Sequence, residues 1–458
     1  MAKALEKQAV LLLIVQALFG IASALSGTFL PVYLWKASGS YSLIGWFTFA
    51  HYLVGGLTFW FAGKWVKEFN KMHSLRLGIA LSGLFYCMVL LLGEGAIRWS
   101  VPLGILNGLA SGFFWLAFNV VYFEVTEPDT RDRYNGWAGL LGAGAGILAP
   151  WISGLLITSM QGERGYRFIF GLSLAIYSVS VILSFWLKKR HGEGRYHWMM
   201  GFRKLMEPGN PWRKLFPAIA AQGIREGVFM FLVGLLVYVA TRDESRLGTY
   251  SLIVSLVSLV SFWLVGKLMA KMKRRWAMLA GVIMIAAVIL PLFWQVSYLT
   301  LLLFGIGTSL FIPLYIIPMT TRVFDVIGQS QESARNREEF IVLREAALTT
   351  GRIIGLIAYL IVLPRTDSPL AITWLMLGVG VVPIAGWWFM RSFLRDEAPH
   401  GEAVVGADAA AHVSVAKVST EAGSHYGKSS IHYFGADRRD AGRSTQQNGG
   451  AGRRGRVR

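Results

Sequence analysis

Two apolar runs of this sequence hold acidic and basic side chains within them, where a charge is costly to keep. Arg225 and Glu226 fall near the middle of one run, residues 215–240. Arg344, Glu345 and Arg352 fall in another, residues 340–363, with Arg352 near its midpoint. Inside lipid each such group costs about 2.5–3.5 kcal/mol by insertion scales, so it lines a polar cavity and finds a partner. The chemistry open to these residue types is charge pairing, proton exchange on a carboxylate and capture of an anion by a guanidinium. Neighbours on a helix point about 100° apart, so Arg225 and Glu226 cannot both face one partner. Glu226 is expected to pair with Arg352, and a static structural ion pair accounts for the same residues equally well.

Uncharged polar residues in the runs add hydrogen-bonding capacity. Gln16, Asn107, Asn119 and Gln222 could bind a solute, although interhelical hydrogen bonding is the plainer use of each. Glu124, Glu127, Asp129, Arg131 and Arg133 cluster at the end of the fourth run, either pairing across a gate or standing in solvent. His51 has no ligand partners in its run, so no metal site is expected. Cys87 is the only cysteine, which excludes an intrachain disulfide. No nucleophile–base arrangement, zinc signature or phosphate-binding loop stands in the apolar body, so neither an enzyme nor a cofactor is expected. Gly423 to Ser429 comes one residue short of a phosphate loop, but no strand precedes it.

The elements that position these residues follow from composition. Of 458 residues, 54% are apolar and 16% charged, against a usual charged share of about 25% in soluble domains. Mean hydropathy is +0.49. Twelve apolar segments are expected near 9–34, 42–63, 76–94, 99–123, 136–160, 166–187, 215–240, 247–270, 276–295, 298–321, 340–363 and 369–391. In lipid a backbone must satisfy its own hydrogen bonds, so these are helices, and the fold class is an all-α polytopic membrane protein. The first run is too long for a signal-peptide core and reads as a retained helix.

The net charge of +19 sits mainly in alternate loops: Lys64, Lys67, Lys71 and Arg76; Arg131 and Arg133; the stretch 188–214; Lys271, Lys273, Arg274 and Arg275; Arg335 and Arg337. By the positive-inside rule that side is cytoplasmic and faces anionic lipid, which places the chain across the plasma membrane with both termini in the cytoplasm. No nucleic-acid partner is implied.

The segments divide six and six. The expected organisation is an N-terminal six-helix bundle (1–187), a cytoplasmic basic linker (188–214), a C-terminal six-helix bundle (215–395) and a disordered cytoplasmic tail (396–458). Within the linker, Trp198, Met199, Phe202 and Leu205 recur at helical spacing, which suits either a short interfacial helix or a solvated connector. The halves echo each other: Phe59-Trp60 precedes Gly63-Lys64 as Phe262-Trp263 precedes Gly266-Lys267. Repeats related by an axis along the membrane normal mark transporters.

These residues resemble the major facilitator superfamily over roughly residues 9–395. The loop after that family's second helix reads approximately Gly-x-x-x-Asp-Arg-x-Gly-Arg-Arg. Here the copies run from Gly63 to Met72 and from Gly266 to Arg275, with Lys67 and Ala270 in the place of the acid. The antiporter motif Gly-Pro-x-x-Gly-Gly has its counterpart in Ala149-Pro150-Trp151-Ile152-Ser153-Gly154. Asn107 stands where proton-coupled members carry an arginine. A looser likeness, through Leu215-Phe216-Pro217-Ala218 and Gln222-Gly223, runs to lipoteichoic-acid glycolipid flippases.

The resemblance implies a monomeric secondary transporter of a small amphipathic solute, working by alternating access, with efflux coupled to a proton gradient. It implies a cavity lined by the first, fourth and seventh helices, with gating roles for Gly63, Lys64, Gly266, Lys267, Lys271, Arg274, Arg275, Arg131, Arg133, Pro150 and Gly154. The alternatives are a flippase or carrier for an anionic substrate anchored by Arg225 and Arg352, and a membrane sensor that transports nothing.

Overall fold

The computed structural model describes residues 5–126, 128–160, 163–189, 194–269, 272–328, 336–363 and 368–394. They fold almost entirely into α-helices, with no strand among them. In chain order the first half has α1 (Lys7–Gly27), α2 (Leu30–Ser38), α3 (Tyr41–Glu68), α4 (Lys71–Leu92), α5 (Ser100–Val125), α6 (Pro128–Ser159) and α7 (Glu163–Ser184). A short α8 (Met200–Met206) follows. The second half has α9 (Trp212–Thr241), α10 (Glu244–Met269), α11 (Arg274–Ala287), α12 (Tyr298–Gly328), α13 (Arg337–Val362), α14 (Pro369–Val381) and α15 (Pro383–Met390).

Local chemistry sets several boundaries. Ser40 caps α3 by accepting a hydrogen bond from the Leu43 N–H, and Asn70 caps α4 through the Met72 N–H. Gly39 closes α2 at φ +62°, a left-handed position suited to a residue without Cβ. Proline marks two interruptions within single crossings: Pro31 opens α2 just after α1, and Pro383 separates α14 from α15.

Each of the twelve apolar segments has a helical counterpart. Among the described residues, eleven stretches are long and apolar enough to cross a membrane. The remaining segment, α3, is 28 residues long but falls short on hydropathy, because His51 and several Gly, Thr, Tyr and Trp residues dilute it. Length and composition therefore support eleven of the twelve expected crossings among the described residues. α3 packs against α5 on one side and α13 on another, and exposes Trp46, Leu53, Leu57, Phe61 and Trp65.

Contacts gather the helices into two groups. In one, α3 and α4 pack on α5, α1 packs on α6 and α7, and α4 packs on α7. In the other, α9 packs on α13 and α15, while α12 packs on α10 and α11. The groups meet chiefly where α3 lies along α13 and α6 along α10.

Glycines permit the closest approaches. Gly223 and Gly227 of α9 lie against Leu348 and Arg352 of α13, and Gly351 and Gly355 of α13 lie against Ala220 and Ile224 of α9. A methyl group at Gly351 would lie 2.0 Å from the Ala220 carbonyl oxygen, and one at Gly355 would lie 2.4 Å from that of Ile224. Gly104, Gly108 and Gly112 of α5 play the same part against α3. Each is a small-xxx-small motif, the usual device for bringing helix backbones together in lipid.

The linker is docked rather than free along residues 194–206. The Trp60 indole donates to the Trp198 carbonyl at 3.2 Å, and the Tyr196 N–H donates to Glu68 at 2.9 Å. Gly201 sits against Leu343 of α13.

Candidate functional site

A cavity of about 400 Å³ lies between the two helix groups. Phe19, Ser23, Thr48, His51, Tyr52 and Asn107 wall it from one side. Gln222, Arg225, Glu226, Phe229, Thr308 and Tyr315 wall it from the other. The volume falls within the ~300–1,000 Å³ range of small-molecule pockets, and the mixture of aromatic walls with few polar groups fits such a site.

A buried charge network runs along the α9–α13 contact. Arg352 Nη2 lies 3.1 Å from Glu226 Oε2, and Arg352 Nη1 lies 2.7 Å from Glu345 Oε1. Glu226 Oε1 accepts from the Gln222 amide at 2.6 Å. The side chains of Arg352, Glu226 and Glu345 are 3%, 10% and 5% exposed, so these charges persist only because they are paired. The paired glycines explain how the network forms: Gly227 and Gly351 flank Glu226 and Arg352 in sequence, and removing Cβ there lets the two helices close until the side chains meet. The Arg352 guanidinium also lies 5.0 Å from the Tyr52 ring centroid, which carries the network across to α3.

Arg225 stands apart from this network. It is 9% exposed, lines the cavity and stacks its guanidinium 4.8 Å from the Phe229 ring. Among the described residues it forms no ion pair, and its Nε has no hydrogen-bond partner.

Two ion pairs join the helix groups at opposite ends of α3. At one end Lys67 Nζ lies 2.6 Å from Glu339 Oε1 and 2.7 Å from Oε2, with Glu338 at 3.9 Å. The His197 N–H donates to the same Glu339 carboxylate at 3.1 Å. Burial pushes the Tyr196 phenol pKa up beside this pair, with the Glu339 and Glu338 charges adding to the rise. At the other end Lys36 Nζ lies 2.8 Å from Glu244 Oε1, which also accepts from the Tyr166 hydroxyl at 3.0 Å. Lys67 occupies the loop position where an acid was expected, and Glu339 supplies the opposite sign from the partner helix, so the pairing is charge-reversed.

The remaining polar candidates divide between cavity and packing. Asn107 and Gln222 reach the cavity wall. Gln16 instead accepts a hydrogen bond from the Tyr134 hydroxyl at 3.0 Å, an α1–α6 link away from the cavity lining. Asn119 is 1% exposed, lies off the cavity lining, and its Oδ1 has no partner among the described residues.

The gating candidates are more scattered. Gly63 faces the Tyr196 ring, and Lys64 sits 3.9 Å from Glu68 and 6.0 Å from the Trp198 ring centroid. In the second copy Gly266 is buried, while Lys267 is exposed with its amine 3.8 Å from the Trp263 ring centroid. Arg274 opens α11, and the Arg275 carbonyl accepts from the Trp387 indole at 3.0 Å. Arg133 is exposed, whereas Lys271 and the Arg131 side chain lie outside the described residues. Pro150 and Gly154 lie where α6 packs tightly on α10: a methyl group at Gly154 would lie 2.5 Å from the Glu244 carbonyl oxygen. From the acidic cluster, Glu124 ion-pairs with Lys71.

Sequence reasoning missed Glu345 as the second partner of Arg352, Glu339 as the partner of Lys67, and the two glycine motifs at the α9–α13 contact. The spacings Gly223-x-x-x-Gly227 and Gly351-x-x-x-Gly355 were the available signal. Glu345 and Arg352 stand seven residues apart, two turns along one helix face.

Membrane-type helices in two packed groups around a central cavity define a membrane transport protein. The chain belongs to the Major Facilitator Superfamily, whose family profile matches residues 12–331. It is 35% identical over 377 residues to the uncharacterized protein YqgE of Bacillus subtilis (strain 168), covering 82% of this chain and 87% of that protein. It is 36% identical over 189 residues to an uncharacterized protein encoded in the sodM 3′ region of Geobacillus stearothermophilus, covering 41% of this chain and 88% of that one. Among solved structures it is similar to a bacterial homologue of the iron transporter ferroportin in an outward-facing state with soaked iron. That match has a TM-score of 0.58 at 14% identity and covers 84% of this chain and 99% of the other. An identity that low shows the shared fold alone.

Proposed function

We propose that this protein is a secondary carrier that moves a small amphipathic solute by alternating access. The carrying observation is the cavity between the helix groups, with a charge network on its wall and a cross-group ion pair at each end of α3. Opening toward one side requires breaking Lys67–Glu339, and opening toward the other requires breaking Lys36–Glu244. Twelve membrane helices take part, with α3 as the one that falls short on hydropathy. The lobes are residues 1–187 and 215–395, the linker is 188–214, and the tail 396–458 lies outside the described residues. The chain sits in the plasma membrane as a monomer, its basic end faces the cytoplasm and anionic lipids, and both termini are cytoplasmic.

Coupling to a proton gradient, in the direction of efflux, is assigned to Glu226. Its carboxylate is held by Arg352 of α13 and by Gln222 one turn back on α9, beside the cavity, so protonating it weakens the α9–α13 contact. Flux measured in proteoliposomes with and without a pH gradient tests this, using a panel of amphipathic solutes. Gradient-dependent flux is expected in the wild type, and its loss is expected in Glu226→Gln and Arg352→Gln variants that still insert and fold. Wild-type rates in both variants end the assignment. The carrier of an anionic substrate is the second reading, favoured by the lone guanidinium of Arg225.

A further inference from the structure

We propose that Arg225 is the recognition residue for an acidic group on the carried solute, which makes the solute class an amphipathic organic anion. The proposal rests on the carrier reading and narrows its substrate.

The argument begins with charge accounting along the cavity wall. Arg352 is matched by two carboxylates, Glu226 at 3.1 Å and Glu345 at 2.7 Å. Glu226 sits next to Arg225 in the chain, but its oxygens are engaged by Arg352 and Gln222. Arg225 therefore lines the cavity with no ion pair among the described residues and its Nε unpartnered, while the neighbouring Glu226 carboxylate is committed to Arg352. A buried guanidinium is held at substantial cost unless something accepts its hydrogen bonds. Its planar fork matches a carboxylate or a phosphate-type oxyanion, and the Phe229 ring beneath it fixes the orientation.

Other groups on the wall support the assignment. The Tyr315 hydroxyl and the Thr308 hydroxyl, both on α12 and lining the cavity, are buried with no hydrogen-bond partner among the described residues. Both are donors, as an oxyanion requires. The rest of the cavity is rich in aromatic rings, including Phe19 and Phe304. A bare inorganic anion would leave those rings facing nothing. Arg225, donating hydroxyls and aromatic walls together select an acid with an apolar body.

The test uses the purified full chain in detergent, so it does not depend on transport. Three probes share one body: naphthalene-2-carboxylate, naphthalene-2-methanol and naphthalene-2-methylammonium, with inorganic phosphate as the fourth arm. Binding is read from tryptophan fluorescence and from the shift in unfolding temperature. The carboxylate is expected to bind at least about tenfold tighter than the alcohol, with the ammonium weakest and phosphate alone producing no shift. Arg225→Gln should bring carboxylate and alcohol together, while Arg225→Lys retains part of the preference.

Equal binding of carboxylate and alcohol by the wild type overturns the proposal, as does a preference for the ammonium. A preference that survives Arg225→Gln also overturns it. Phosphate shifting the chain as strongly as the carboxylate removes the amphipathic part of the claim. The wild-type ratio decides even if Arg225→Gln does not fold. Anion binding without gradient-driven flux sinks the carrier reading and leaves this assignment standing.

Discussion

Removing the Lys67 amine should open the end of the protein where it meets Glu339. The Lys67 and Glu339 side chains are 6% and 2% exposed, so the pair is isolated from water. Lys67→Gln would leave the Glu339 carboxylate with the His197 N–H as its remaining hydrogen-bond donor from the linker. Breaking one partner of a buried pair costs about 3–5 kcal/mol, because a buried charge is left unmatched. That cost falls on the state in which this end is closed, since opening returns Glu339 to water. The equilibrium between the states should move by roughly a hundredfold to a few thousandfold. Cys87 is the only cysteine, so Cys87→Ser gives a clean background for paired spin labels. Trp186→Cys and Trp276→Cys place labels at exposed positions on the two groups near this end. The distance distribution should shift to longer values in Lys67→Gln and return when Lys67→Glu is combined with Glu339→Lys. An unchanged distribution in Lys67→Gln refutes the reasoning. So does a charge swap that fails to restore the shorter distance in a folded protein.

The opposite end should respond in the same way to Lys36→Gln, with labels near that end separating while those at Trp186 and Trp276 do not. Gly351→Ala should lower thermal stability by about 1–3 kcal/mol, because the new methyl meets the Ala220 carbonyl; a thermal melt in detergent checks it, and an unchanged midpoint contradicts the close contact. Gly154→Leu should hold α6 off α10 and slow flux while leaving cavity binding of the naphthalene probes intact, measured side by side. Gln16→Leu should cost about 1 kcal/mol or less and leave flux unchanged, since Gln16 serves Tyr134 rather than the cavity.

Much of the architecture was legible because lipid imposes simple demands. A run of about 20 apolar residues reads as a crossing whatever it packs against, so all twelve segments correspond to helices. α3 shows the limit of that rule: its position was legible, but His51 and its Gly, Thr, Tyr and Trp residues keep its hydropathy below that of the other spans. The contact between Glu226 and Arg352 was legible because two opposite charges in the middle of apolar runs have few ways to survive. The second partner, Glu345, was harder to see, since it lies nearer a helix end where a charge has access to water. Lys67 shows the reverse case. Its sign reversal was plain in the loop motif, but its partner lies 272 residues away and only folding brings Glu339 to it. Gln16 and Asn107 look alike as polar residues in apolar runs, yet one bonds a neighbouring helix and the other faces the cavity. That difference depends on helix rotation, which an apolar run with weak amphipathicity does not encode.

Alternating access is most directly tested by one cysteine in the cavity. Ser111 lines it, and Ser111→Cys on the Cys87→Ser background can be offered a membrane-impermeant thiol reagent from either face of sealed vesicles. The account predicts labelling from both faces, biased toward one face by Lys67→Gln and toward the other by Lys36→Gln. Labelling from a single face in all three proteins, or from neither, would contradict it.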